Sequence, residues 1–161
     1  MIKIRKVAVL GAGVMGSGIA AHLANAGVPS LLLDIVLPEP GEDEKKKGWK
    51  KETTAFRNKL ADLGKLNAIK AKPAALHTAE LADLITTGNL EDDLTKIAGC
   101  DWIIEVVKEE LEVKQTLFKK VAALWKPGII VTSNTSGISI EKMTDGLSKE
   151  FKEHFCVTHF F

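Results

Sequence analysis

The chain has 161 residues, 45% of them hydrophobic and 27% charged, with a formal net charge of +1. This composition is typical of one globular domain with a sizeable core. The nearly neutral charge argues against a nucleic-acid partner, which would require a strongly basic surface. No apolar run approaches the roughly 20 residues of a membrane span, and the N-terminal run has no signal-peptide cleavage pattern. We therefore expect a cytoplasmic protein without a membrane partner.

The first elements in chain order form one βαβ unit. Val7 to Leu10 is a continuous apolar run that predicts a buried parallel strand. Residues 14–26 carry small and apolar residues at helical spacing, and Gly27 is well placed to end that helix. Residues 29–34 predict a second buried strand.

Residues 37–80 interrupt the regular alternation of predicted strands and helices. We expect an amphipathic surface helix over residues 42–59, then a helix and a loop around Pro73 over residues 65–80. We interpret the whole segment as a helical elaboration of the domain. The lysine-rich run at 45–51 leaves two interpretations open, a solvated helix face or a contact with phosphate groups of a ligand.

Alternating elements resume after residue 80. We predict strands at 84–88, 101–107, 129–132 and 155–158, with helices at 90–98, 109–125 and 140–147 between them. The fold class is therefore α/β, a Rossmann-type doubly wound, mainly parallel sheet in a single domain over residues 1–161. The two cysteines, Cys100 and Cys156, match no metal-ligand spacing, and we expect both to be reduced thiols in the core and no metal site.

A glycine-rich loop follows the first strand and opens the first helix. Gly11, Gly13 and Gly16 form a GxGxxG pattern around Val14 and Met15. The first glycine permits the tight turn, the second lets a pyrophosphate approach the backbone, and the third lets helix and strand pack closely. The alternative is a glycine turn that serves packing alone.

Asp34 ends the second strand, 23 positions after Gly11. A carboxylate there accepts hydrogen bonds from a ribose diol and repels a 2′-phosphate. The residues that follow include no nearby arginine, which favours NAD over NADP. The alternative is a solvated acid at a strand end.

Polar side chains also follow two later strands. Ser133 to Gly137 comes after one strand, and His159 follows the last one. Taken singly, the serine-rich turn could cap a helix and the histidine could be a structural one. Because the carboxyl ends of parallel strands meet at one edge of the sheet, together they are candidates for a single site.

Four segments of the chain stand out together, residues 11–20, 104–114, 133–136 and 158–161. In sequence and in order they resemble the NAD-binding N-terminal domain of the 3-hydroxyacyl-CoA dehydrogenase family. The closest likeness is to long bacterial members that also carry an enoyl-CoA hydratase region. The last three segments are more specific than the glycine loop, which many dinucleotide-binding proteins share.

The resemblance implies a role for each matching position. His159 would be the catalytic base, and Ser136 would hydrogen-bond the substrate oxygen beside the nicotinamide. Glu109 and Lys114 would contact the ribose and nicotinamide side of NAD, and Asp34 would hold the adenine ribose. The implied reaction is the NAD-dependent oxidation of a 3-hydroxyacyl-CoA in fatty-acid β-oxidation.

The family pattern continues beyond the matching segments into a helical domain that binds acyl-CoA and forms a dimer. Since the 161 residues do not contain that domain, we expect them to have little or no turnover alone, and to self-associate through apolar surface around Phe155, Phe160 and Phe161. Two alternatives stay open: another NAD-dependent 3-hydroxy acid dehydrogenase, or an NAD-binding fragment without catalysis.

Overall fold

The computed structural model describes residues 3–160 as a six-stranded, fully parallel sheet with helices on both faces. The strands are β1 (Val7–Leu10), β2 (Ser30–Asp34), β3 (Ile85–Asn89), β4 (Trp102–Glu105), β5 (Ile130–Ser133) and β6 (Phe155–Val157). The helices are α1 (Val14–Asn25), α2 (Glu42–Lys46), α3 (Thr54–Arg57), α4 (Lys59–Lys70), α5 (Leu111–Leu124), α6 (Ile140–Met143) and α7 (Lys149–Glu153). Two 3₁₀ helices cover Ala79–Leu84 and Leu94–Gly99.

The strand order β3-β2-β1-β4-β5-β6 confirms the predicted Rossmann-type sheet. All four residues of β1 are fully buried, as the continuous apolar run indicated. After β1, the chain forms β2 and β3 on one side of that strand, and it then forms β4, β5 and β6 on the other side. The carboxyl ends of all the strands therefore lie along one edge, and a crevice opens there between the two halves.

The core has one part on each face of the sheet. On one face, α5 packs Phe118 edge-to-face against Phe155, with ring centroids 4.9 Å apart. On the other face, α1 and α4 pack small side chains such as Ala20, Ala24 and Ala61. The predicted apolar stripe of the helix over 109–125 is confirmed, since Leu117, Phe118 and Val121 are its buried residues together with Lys114.

Four helix predictions differ from the structure. The helix predicted from residue 65 onward begins earlier, as α4 at Lys59, and ends before the loop around Pro73. The single helix predicted over 42–59 is broken after α2, where Gly48 adopts a φ of +76° that ends a helix. The helix predicted over 140–147 stops at Met143, because Gly146 turns the chain with a φ of +73°. Residues 90–98 form a 3₁₀ helix over Leu94–Gly99 rather than an α-helix.

The prediction of two buried thiols is confirmed for Cys100 and wrong for Cys156, which is exposed. β6 is an edge strand of three residues, and of these only Phe155 faces the core. The expected exposure of Phe155 is wrong for the same reason, since its ring is buried against Phe118 and Phe151. Phe160 is partly buried and packs 6.5 Å from the Trp102 ring, while Phe161 lies outside the described residues.

The helical segment between β2 and β3 packs closely on the rest of the fold. A Cβ on Gly64 of α4 would lie 2.5 Å from the carbonyl oxygen of Ala12, so α4 lies against the glycine-rich loop. Arg57 makes ion pairs with Glu91 and Asp92, just after β3, at 2.8 and 2.5 Å. Within residues 3–160, no helix has the length and apolar character needed to cross a membrane.

Candidate active site

The glycine-rich loop joins β1 to α1 in a conformation that requires at least two of its glycines. Gly11 has a φ of +111°, and a Cβ there would lie 2.5 Å from the carbonyl oxygen of Val106. A Cβ on Gly16 would overlap the carbonyl oxygen of Gly11. Gly13 differs, because nothing lies within 4 Å of the position of its Cβ. The loop therefore leaves open space above Gly13, as a bound pyrophosphate requires.

The open space lies at the N-terminus of α1. No side chain caps this helix, and its first turn contains no acidic residue. The first backbone N–H groups of the helix and its dipole therefore favour an anion there. Val14 and Met15 lie on this surface and are 90% and 37% exposed.

A cleft of about 870 Å³ extends from Gly11 and Gly13 along the strand ends. Asp34 lines it, together with apolar side chains that include Ile35 and Val106. The Asp34 carboxylate accepts the N–H of Ala12 at 2.6 Å and of Ile35 at 2.7 Å. Because a carboxylate offers about four acceptor positions, Asp34 is fixed in place and can still accept a diol.

Ser136 and His159 meet at the same edge of the sheet, although 23 positions separate them in the sequence. Ser136 Oγ and His159 Nε2 share a hydrogen bond of 2.9 Å, and both residues are exposed. The structure thus brings together the two residues that the sequence assigned to catalysis.

Hydrogen bonds between the end of β5 and the chain that follows β6 hold His159 in this position. The N–H of Thr158 donates to the carbonyl of Ser133 at 3.1 Å. Beyond it, the N–H of Phe160 donates to the Asn134 side-chain oxygen at 2.7 Å. The histidine is therefore held on both sides along the backbone. Asn134 belongs to the polar turn that the sequence named as a candidate, but the sequence analysis gave it no individual role.

Glu109 holds the serine-rich turn. Its Oε1 accepts the hydroxyl of Thr135 and the N–H groups of Ser136 and Gly137, the latter two at 3.1 and 3.4 Å. Partial burial would raise the pKa of Glu109, but hydrogen bonds from Thr135 and Lys114 outweigh it and lower that pKa below its usual value. The carboxylate therefore stays ionised at neutral pH and orders the turn.

Lys114 is buried beneath this turn, and its side chain is only 1% exposed. Its Nζ donates to both oxygens of Glu105, at 2.7 and 3.0 Å, and lies 3.1 Å from Glu109 Oε2. Glu105 is fully buried and also accepts the hydroxyl of Ser133 and the N–H of Val107. The sequence prediction gave Glu105 no role, although an acid at the end of an apolar strand is a recognisable signal.

The residues present fit NAD. The open space above Gly13, the uncapped start of α1, the Asp34 carboxylate at the end of β2 and the apolar walls of the cleft match the parts of a dinucleotide. No cluster of three or more potential ligands for a metal ion occurs among residues 3–160.

Residues 6–161 match the sequence profile of the 3-hydroxyacyl-CoA dehydrogenase NAD-binding domain. The chain belongs to the 3-hydroxyacyl-CoA dehydrogenase family. NAD is therefore the cofactor of this domain, which confirms the resemblance drawn from the four sequence segments. The roles of the individual site residues remain predictions.

Similar proteins carry dehydrogenase names. The chain is 54% identical to a Bacillus subtilis protein named "Probable 3-hydroxyacyl-CoA dehydrogenase", over 98% of this chain and 20% of that protein. It is 34% identical to the "Fatty acid oxidation complex subunit alpha" of Psychrobacter arcticus, over 99% of this chain and 20% of that protein. The 3-hydroxybutyryl-CoA dehydrogenase structure from Escherichia coli K12 superimposes with a TM-score of 0.66 at 28% identity, covering 99% of this chain and 30% of that one. The chain thus spans a fifth to a third of the length of these relatives.

Proposed function

We propose that this chain is the cofactor-binding part of an enzyme that oxidises 3-hydroxyacyl-CoA to 3-oxoacyl-CoA in fatty-acid β-oxidation. The observation that carries the proposal is the 2.9 Å contact between Ser136 Oγ and His159 Nε2, at the edge of the sheet that holds the dinucleotide cleft. A proton acceptor and a hydroxyl donor side by side are what the oxidation of a secondary alcohol requires.

His159 acts in this proposal as the general base. An alcohol oxygen placed within reach of both His159 Nε2 and Ser136 Oγ loses its proton to the imidazole, while the hydrogen on C3 leaves as hydride. NAD, when bound, supplies the hydride acceptor. An imidazole suits the task because its ordinary pKa is near neutral, so it accepts the proton in oxidation and returns it in the reverse reaction.

Other residues bind and orient. Asp34 accepts the hydroxyls of the adenine ribose, and the loop from Gly11 to Gly16 binds the pyrophosphate at the start of α1. Glu109 acts on the nicotinamide side and fixes the Ser136 backbone, with Lys114 beside it. Each of these roles follows the resemblance. The Lys114 side chain is only 1% exposed and is bonded to Glu105 and Glu109, so in this proposal it acts through Glu109 rather than by touching the cofactor.

The acyl-CoA requires surface beyond these 161 residues in this proposal. The chain covers only 20% of the Bacillus subtilis relative, and a separate domain that covers the Ser136–His159 pair would exclude water and bind the acyl-CoA. A chain of residues 1–161 alone would bind NADH with little turnover. Dimer formation and a cytoplasmic location stay predictions, and both interpretations of the lysine-rich run at 45–51 stay open.

The proposal is tested by substrate choice in the full-length protein. We expect NADH to form, measured at 340 nm, with NAD+ and 3-hydroxybutyryl-CoA, and kcat/KM to be at least ~100-fold lower with free 3-hydroxybutyrate, because remote binding energy from the CoA part is lost. Equal rates with the free acid would support a 3-hydroxy acid dehydrogenase instead. Binding of NADH without turnover of either substrate would indicate a non-catalytic NAD-binding protein.

A further inference from the structure

Glu105, Lys114 and Glu109 form a charged cluster beneath the serine-rich turn, and we name it the turn cluster. Glu105 and Lys114 are almost fully inaccessible to solvent, whereas Glu109 is 46% exposed. Their contacts connect three elements, since Glu105 ends β4, Lys114 lies on α5, and Glu109 contacts the turn after β5. A buried ion pair held this completely contributes little net stability compared with a well-packed apolar pair. Stability alone therefore does not explain why a buried ion pair occupies this position.

The formal charges of the turn cluster sum to one negative charge. One ammonium lies between two carboxylates, and every other partner described for the cluster donates a neutral hydrogen bond. These donors are Ser133 and Val107 to Glu105, and Thr135, Ser136 and Gly137 to Glu109. The nearest charged pair along the chain, Lys108 with Glu110, sums to zero and is largely exposed to solvent, so water screens it. The cluster thus keeps one negative charge fixed against the backbone of Ser136.

This position matters because the two forms of the cofactor differ in charge at one ring. The nicotinamide is positively charged in NAD+ and neutral in NADH, while the rest of the two molecules is alike. A fixed negative charge near that ring binds the oxidised form more tightly and leaves the reduced form almost unaffected.

We propose that Glu105, which does not itself reach the cofactor, sets the charge of the turn cluster and thereby raises the affinity for NAD+ relative to NADH. The inference rests on the proposed function, because it takes the Ser136 turn to lie beside the nicotinamide. Without Glu105, Lys114 and Glu109 would neutralise each other, and the preference for the oxidised ring would fall.

Two variants of this chain distinguish an effect of the cluster's charge on cofactor affinity from an effect of its packing. Glu105→Gln keeps an acceptor of the same shape for Lys114 and Val107, and it changes the formal sum from minus one to zero. The double variant Glu105→Gln with Lys114→Gln also loses the ion pair, but it returns the sum to minus one through Glu109 alone. A purely structural role of Glu105 would affect the double variant at least as much as the single one.

The measurement is the ratio of the dissociation constants of NAD+ and NADH, determined by calorimetric titration of each variant. We expect the ratio to rise about fivefold or more in Glu105→Gln and to return to within about twofold of the unsubstituted chain in the double variant. Glu109→Gln also has a formal sum of zero and keeps an amide oxygen that can accept the N–H of Ser136, so it should raise the ratio even if Glu105→Gln does not fold.

A ratio that stays unchanged in Glu105→Gln and Glu109→Gln would overturn the charge role. So would a ratio in the double variant that stays as high as in the single variant. Failure of the proposed function looks different, since the full-length protein would then bind NADH without oxidising 3-hydroxybutyryl-CoA, while the ratios in the variants would still follow the charge of the turn cluster. Binding of neither NAD+ nor NADH by the unsubstituted chain would overturn both proposals.

Discussion

Gly16→Ala is expected to abolish measurable NADH binding by this chain. The new methyl group would overlap the carbonyl oxygen of Gly11, so that α1 must move away from β1 and the loop loses the shape that holds the pyrophosphate. We expect an affinity loss of at least ~100-fold and a destabilisation of about 1–3 kcal/mol, the usual cost of overpacking a core. Calorimetric titration with NADH measures the first and urea unfolding the second.

Two other glycines of the same segment serve as matched controls. Gly18 lies exposed on α1 with nothing within 4 Å of its Cβ position, so Gly18→Ala should leave NADH binding intact and stabilise the helix by ~0.5–1 kcal/mol. Gly13 has equally open space, but that space is where the pyrophosphate binds, so Gly13→Ala should fold normally and still lose NADH affinity. Tight NADH binding by Gly16→Ala would contradict this account of the loop.

His159→Gln in the full-length protein is expected to lower kcat by about 10²–10⁴-fold, the usual contribution of a general base. The glutamine amide can still form a hydrogen bond near Ser136, but it accepts no proton at neutral pH. NADH affinity should stay within about threefold of the unsubstituted protein, because the cofactor is bound mainly by the glycine-rich loop and Asp34. Steady-state rates with 3-hydroxybutyryl-CoA and NADH titration measure the two effects.

His22→Gln is the matched control, since His22 is an exposed histidine at the far end of α1. It should leave kcat unchanged. A kcat for His159→Gln within threefold of the unsubstituted protein would remove His159 from the role of base. A parallel loss of kcat and NADH affinity would indicate that the histidine instead supports the structure of the cleft.

The strands were predictable because their signals are local. Each central strand of a parallel sheet is buried on both faces, so β1, β2 and β4 appear in the sequence as short apolar runs. The same logic predicted that Ser136 and His159 would share an edge of the sheet. Their hydrogen bond confirms that proximity, since parallel strands bring their carboxyl ends together whatever the sequence separation.

The helical segment before β3 and the turn cluster were not predictable in this way. Residues 42–59 have a composition that suits one helix, but Gly48 turns the chain and α4 packs through small residues onto α1, which composition does not reveal. Lys114 lies on a helix where a lysine ordinarily faces solvent. Its burial is possible because the carboxylates of Glu105, which ends β4, and of Glu109 both pair with its ammonium group.

Calorimetric titration with NADH and, separately, NADPH tests most directly whether this chain holds a working NAD site. We expect NADH to bind at least ~10-fold more tightly than NADPH, because the Asp34 carboxylate accepts the ribose diol and repels a 2′-phosphate. Equal affinity for the two cofactors would contradict the role of Asp34. Binding of neither by a folded chain would contradict the NAD site itself.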